Sequence, residues 1–295
     1  MPRLSSGMVA MVAALCLLSG VSAQEPAPGE IPKTGDIVVR TLVKVAGRID
    51  PGKATEAAEA EPRVVDRVVE WQVLGRTFAT PASLGKELER IAMDPQAMRP
   101  DAQTGGKMLA AVRVAPDPAT HWEEIVGLWD LMMASGYQDL QLEGVDTREM
   151  TAVSVAAGRP DAQRLVLPSA MFNEVDDFSS RYRLAFDVLR DGTIARDGKS
   201  LFVWKAGEAA DLGPLRKSLR EVRETMRVKK QLVPRRGHDQ EAINVPVLLR
   251  ADRWAEWRDV LRLCSELLDP EVGYWSLHLA VVEPPPGKSW LEQGR

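Results

Sequence analysis

The sequence predicts an α+β protein built from two similar ββαβαβ units, each a small sheet with helices packed on one face. One observation is an internal repeat: Val112 to Met133 (VRVAPDPATHWEEIVGLWDLMM) aligns without a gap on Val247 to Leu268 (VLLRADRWAEWRDVLRLCSELL). Asp117 falls on Asp252, Trp122 on Trp257 and Leu128 on Leu263, and after a two-residue insertion Gly136-Tyr137 falls on Gly273-Tyr274. A second is that each copy is preceded by a β-prone hairpin pattern and an amphipathic helix pattern. The third is size and composition: 295 residues exceed the roughly 100–150 of a common single domain, and 45% hydrophobic with 27% charged residues is ordinary for a folded chain.

The elements follow in order. Arg3, the apolar run Met8 to Leu18 and the small residues Val21-Ser22-Ala23 read as a cleaved export signal over residues 1–23. That run is about half of the roughly 20 apolar residues a spanning helix needs, so no membrane span is expected in the mature form. Residues 24–35 (QEPAPGEIPKTG) read as a Pro/Gly-rich flexible tether. The first unit is placed at 36–145. It begins with a strand over Ile37 to Val45 and continues with the hairpin Val68 to Ala79, a helix opened by Ser83, a strand before Asp117, the helix after Trp122 and the strand Leu140-Gln141-Leu142. A linker at 146–162 holds Gly158-Arg159-Pro160-Asp161. The second unit, 163–283, repeats the pattern. The hairpin Leu184 to Ala195 turns at Asp191-Gly192 and matches Val68 to Ala79; a helix opened by Asp211 and the repeat from Val247 follow. Residues 284–295 form a Pro-rich tail, since the prolines after Glu283 cannot continue a ladder.

Within the repeat, Ile125, Val126, Leu128, Trp129, Met132 and Met133 share their spacing with Val260, Leu261, Leu263, Cys264, Leu267 and Leu268. Positions so spaced form one broad apolar stripe that packs on a sheet. Glu123, Glu124, Asp130, Arg258, Asp259 and Glu266 lie between them and read as the solvated face.

With both units laid out, the chain resembles the exported domain of the ExbD/TolR biopolymer-transport family, duplicated in tandem. The residues that carry the resemblance are Leu248-Leu249-Arg250-Ala251-Asp252, Trp257 and Gly273 to Leu279, with Asp191-Gly192-Thr193-Ile194 and Leu167-Pro168 upstream. In the first copy Ala115-Pro116-Asp117 replaces Arg-Ala-Asp. The resemblance implies a periplasmic or otherwise extracytoplasmic, non-enzymatic binding or scaffold protein, accessory to an envelope energy-transducing assembly for biopolymer transport. The implied partner is a channel-type or membrane-bound ExbD/TolR-type subunit. The alternative is a free-standing protein that binds cell-wall polymer or another envelope component. The family's transmembrane helix with its aspartate is missing here, so a proton-coupled role for this chain alone is not expected. Since such domains are known to self-pair, two copies in one chain imply an intramolecular pseudo-dimer.

Chemistry-bearing patterns are sparse. A net charge of −4 gives no general attraction to nucleic acid. His121, His238 and His278 lack metal-ligand spacing and read as surface residues, and no cofactor fingerprint is present. A secreted enzyme stays as a third possibility without a residue set to support it. Cys264, the only cysteine after the leader, reads as buried filler. Asp117 and Asp252 read as turn residues that accept backbone hydrogen bonds, and Trp122 and Trp257 as packing residues where the second helix of each unit begins. Nine cations lie between Arg216 and Arg236. They read either as a solvated helix face or, through Arg223, Arg227, Lys229 and Lys230, as a surface for an anionic layer.

Overall fold

The computed structural model describes residues 28–32, 35–45, 67–101, 105–138, 140–145, 150–154, 165–171, 174–175, 184–203, 211–234, 241–269, 271–274 and 276–282. The expected leader, the tail, His238, Arg235 and Arg236 lie outside them. The first unit runs β1 (Ile37–Val45), β2 (Arg67–Val73), β3 (Arg76–Phe78), α1 (Pro81–Ala92), β4 (Met98–Pro100), β5 (Lys107–Leu109), β6 (Val112–Ala115), α2 (Trp122–Ala134) and β7 (Leu140–Leu142). Then come β8 (Met150–Ser154) and β9 (Glu174–Val175). The second unit runs β10 (Leu184–Val188), β11 (Ile194–Arg196), β12 (Lys199–Phe202), α3 (Gly213–Val228), β13 (Leu232–Pro234), β14 (Glu241–Ile243), β15 (Val247–Ala251), α4 (Trp257–Leu268) and β16 (Leu277–Val281).

The two units have one topology. Sheet order is β3-β2-β1-β6-β7 in the first and β12-β11-β10-β15-β16 in the second, where β8 and β9 add two further strands beyond β16. Strand directions also agree: β1 is antiparallel to β2 and parallel to β6, as β10 is to β11 and β15. Even the register repeats, Ile37 facing Val112 as Leu184 faces Val247. Each unit thus keeps the ββαβαβ order and extends it with a third strand in the leading meander and a small ribbon, β4–β5 or β13–β14.

That topology corrects one sequence alignment. Val68 to Ala79 is the counterpart of β11–β12, not of Leu184 to Ala195, and the strand over Ile37 to Val45 is the counterpart of β10. The turns show it directly. Leu74-Gly75 joins β2 to β3 with φ of 50° and 72°, and Asp197-Gly198 joins β11 to β12 with φ of 51° and 73°. Two successive left-handed residues make the tight turn that suits twisted strands.

Core formation follows the alternation in β1, where Ile37, Val39 and Thr41 are buried while Arg40 is exposed. Leu84, Leu88 and Ile91 of α1, Ile125, Leu128 and Met132 of α2, Leu215, Leu219, Val222 and Met226 of α3, and Val260, Leu263, Cys264 and Leu267 of α4 bury against the sheets. β15 is buried along its whole length, which marks a strand covered on both faces. Leu167 packs with Leu248, Ala280 and Ala185 on the face away from the main core. The buried Asp187–Arg250 pair, bonded at 2.6 and 3.0 Å, lies on paired positions of β10 and β15. Arg40 and Ala115 hold the same paired places in the first unit, without an ion pair.

Several local expectations change. Helix α1 begins at Pro81 with Thr80 as its cap, whose Oγ1 accepts the Ser83 N–H, so Ser83 is inside the helix rather than at its start. Asp211 Oδ1 accepts the Gly213 N–H and so does stand at the start of α3. Part of the expected tether is packed: Ile31 is buried, Gly29 N–H donates to Leu74 O and Arg99 donates to Pro32 O. The span read as a linker contains β8, which pairs parallel with β16. Among the described residues no helix is long and apolar enough to cross a membrane.

Candidate functional site

The four repeat positions Asp117, Trp122, Asp252 and Trp257 are brought together where the units meet. Each aspartate sits just after a central parallel strand, β6 or β15, and turns the chain toward the helix that follows. Asp117 Oδ1 accepts the Ala119 N–H at 2.9 Å, and Asp252 Oδ1 accepts the Trp254 N–H at 3.1 Å. The matching backbone closures are Thr120 N–H to Asp117 O and Ala255 N–H to Asp252 O. A short carboxylate replaces a backbone acceptor in such a turn, which is the role expected from the sequence.

The two turns then run antiparallel past each other, His121 opposite Glu256. Trp122 N–H donates to Ala255 O at 2.8 Å, and its counterpart Trp257 N–H donates to Thr120 O at 2.7 Å. Glu123 N–H donates to Arg253 O and its counterpart Arg258 N–H to Pro118 O. Every bond thus has a mate at the equivalent residues, so the local relation between the turns is two-fold. These donors are the first N–H groups of α2 and α4, which have no intrahelical acceptor, so each copy satisfies the helix start of the other. Across the same axis the Trp122 and Trp257 rings lie 6.2 Å apart and 7° from parallel, both buried. Such a pair adds about 0.5–1.5 kcal/mol beyond its burial.

Charged groups close the junction. Arg67 of β2 forms a bidentate pair with Glu124 and also donates to Ala119 O. Glu124 in turn accepts the His121 N–H at 2.8 Å, closing the start of α2. Across the boundary, Arg253 Nε bonds Glu123 at 2.6 Å. Thr41 and Thr120 share a hydroxyl hydrogen bond of 2.5 Å, and Thr41 Oγ1 accepts the Asp117 N–H. Segment 165–171 straps both units: Val166 N–H donates to Asp252 Oδ2, Arg253 N–H to Val166 O, and Met171 N–H to Asp130 Oδ2 of α2.

This arrangement overturns two readings. Asp130 and Asp259 are buried rather than solvated, the first under the strap and the second against Gly192 with Arg262 as its partner. His121 is buried too, and burial together with the nearby Arg67 pulls its pKa down to about 4, against a smaller opposing pull from Glu124. Half-buried His278 alternates with buried Leu277 and Leu279 in β16. Burial raises the pKa of Asp252, Glu256 and Asp259. It pushes the Cys264 thiol up to about 12, which keeps it protonated and unreactive. Sequence reasoning missed Arg67, Thr41 and Thr120, because their partners are far along the chain.

No protein-family model, curated protein or solved structure matches this chain. The site is therefore read from its own geometry. Among the described residues no cluster of three or more His, Cys, Asp or Glu could hold a metal ion. The polar groups at the junction hold backbone and fix the orientation of two copies.

The basic segment is divided by the fold. Arg216, Arg220 and Arg223 bind α3 to the α4 end of the unit: Arg216 pairs with Glu266, Arg220 with Glu271, and Arg223 donates to Val272 O and Glu241 O. Arg223 is therefore a brace, not a free surface cation. Among the described residues Arg227 pairs with exposed Glu224, and Lys229 and Lys230 are exposed.

Proposed function

We propose that the chain is an exported, non-enzymatic scaffold of the cell envelope, an accessory to an ExbD/TolR-like energy-transducing assembly. The observation that supports the reading is the two-fold junction. It presents two equivalent units in one fixed mutual orientation, as a pair of separate subunits would be presented, and makes the chain a built-in pseudo-dimer. A protein of that kind works through outward surfaces, with a channel-type or membrane-bound single-unit subunit as the partner.

Affinity purification of the tagged chain from its own cells after reversible cross-linking tests the proposal. A channel-type membrane subunit enriched with the wild type, and lost when Trp122 and Trp257 are both replaced by alanine, is the expected result. Retention on isolated wall polymer with no channel subunit would replace the motor connection by wall binding. A substrate turnover abolished by one point substitution would overturn the non-enzymatic reading.

A further inference from the structure

We infer that the turn closing α3, Arg227 to Lys230, is a contact surface for an anionic lipid bilayer. The sister unit serves as an internal control for what the fold itself requires. Helix α1 closes the same position with 12 residues, holds its last-turn cation Arg90 in a pair with Glu87, and continues through Met93-Asp94-Pro95-Gln96 with Met93 84% exposed and no cation beyond the helix. Helix α3 has 16 residues and continues through Lys229 and Lys230. The same topology is thus completed without a basic turn.

Three local features point outward. Val228 is 79% exposed at the end of an amphipathic helix whose buried stripe is Leu215, Leu219, Val222 and Met226. Arg227 is 67% exposed on its side chain, and its ion pair with Glu224, itself 58% exposed, contributes little. Lys229 and Lys230 are exposed on the other side of Val228. The backbone adds a fourth feature. Gln231 N–H donates to Met226 O and Lys230 N–H to Arg227 O, which places Lys230 at the left-handed position of a Schellman cap, with φ of 56°. Glycine is the usual residue there, and a side chain with a Cβ is strained. Lys230 thus bears a strain that glycine would avoid, at a helix C-terminus whose dipole favours a nearby cation.

An exposed apolar side chain flanked in sequence by three long exposed cations matches the headgroup boundary of a bilayer. Valine enters the acyl edge while the lysine and arginine stems lie along it with their charges at the phosphates. An acidic polypeptide would satisfy the cations but would leave Val228 without a role, and this decides for the bilayer. Contact of this size is weak, each cation near an anionic surface contributing about a five-fold gain.

The test is co-sedimentation of the full chain with vesicles of equal parts phosphatidylglycerol and phosphatidylcholine, at rising salt, against vesicles of phosphatidylcholine alone. Each variant is compared with the wild type on the same vesicles at the same salt, so that any contribution from the rest of the chain cancels. Lys230→Gly should lower anionic-vesicle binding about five-fold while keeping the fold, since glycine suits that backbone. Lys229→Gln should do the same, Val228→Ser should lower it further, and Lys86→Gln on α1 should leave it unchanged. Equal salt-dependent binding by wild type and Lys230→Gly would overturn the inference. So would retention on polyglutamate that Val228→Ser leaves intact, with no preference for anionic vesicles, since that result assigns the turn to an acidic polypeptide.

Discussion

The tyrosines that follow the second helix of each unit are equivalent in fold and unequal in bonding. Tyr137 Oη donates to Leu88 O at 3.2 Å, whereas the Tyr274 hydroxyl is buried without a partner among the described residues. Burial raises the pKa of both phenols, so both are neutral. A hydrogen bond of this kind contributes about 1 kcal/mol, while an unsatisfied buried hydroxyl opposes folding by roughly 1–3 kcal/mol. Tyr137→Phe should therefore lose about 1 kcal/mol in urea denaturation, and Tyr274→Phe should lose nothing or gain. Equal losses would mean that Tyr274 has a partner, such as a buried water shared with the Arg196 Nε, which lies 3.4 Å from Asp197 Oδ2 without a hydrogen bond among the described residues. His121 supplies a second prediction. Its folded pKa of about 4 lies below the ordinary value of 6.5, so the unfolded chain binds the proton more readily between those limits. The stability this group contributes is complete above pH 6.5 and lost as pH falls toward 4, on the order of 3 kcal/mol. Asp252, Glu256 and Asp259, with raised values, act in the opposite sense because acid relieves the penalty of ionising them in the folded state. The difference in stability between wild type and His121→Gln across pH 4 to 6.5 isolates the histidine. A flat difference would show that His121 is solvated.

At the scale of elements, what the sequence made legible were the features with a local period. The α2 and α4 stripes were readable because apolar positions recur at the helical spacing, and the strands beside Leu140 and Leu277 because of their alternation. The Asp117 and Asp252 turns were readable because Asx chemistry acts within two residues. The hairpin alignment failed for a physical reason: β10 and β11 join through a tight Asp191-Gly192 turn, whereas β1 and β2 are separated by residues 46–66. Local similarity therefore matched Val68 to Ala79 with the strands nearest to a glycine turn, not with those in the same place in the sheet. Asp130 was misread because its burial comes from the strap at Met171, a contact no helical periodicity contains. The start of α1 offers a direct check. With Thr80 as cap, Thr80→Ala should lower stability by about 1 kcal/mol, and Ser83→Ala, inside the first turn, by less. Thermal unfolding of the two variants decides between them, and a larger loss at Ser83 would restore the helix start first read from the sequence.

For the whole molecule, the junction determines whether two units act as one body. Its bonds are reciprocal: α2 begins with N–H groups satisfied by Arg253 and Ala255, and α4 with N–H groups satisfied by Pro118 and Thr120. Removing either unit therefore leaves the other with helix-start donors that have lost their carbonyl acceptors and a tryptophan exposed without its stacking partner. The strap at 165–171 strengthens the coupling, because it bonds Asp130 on one side and Asp252 on the other. One cooperative transition is the expected behaviour of the full chain in chemical denaturation. Trp122→Ala should cost about 3–5 kcal/mol, as loss of a buried tryptophan does, and Trp257→Ala a similar amount. Because each substitution already removes the shared stack, the double variant should lose less than the two losses added, by about 0.5–1.5 kcal/mol. Strict additivity, or two separate transitions in the wild type, would show that the units fold and sit independently. In that case the two-fold arrangement could not present fixed surfaces to a partner, and the scaffold reading would lose its structural support.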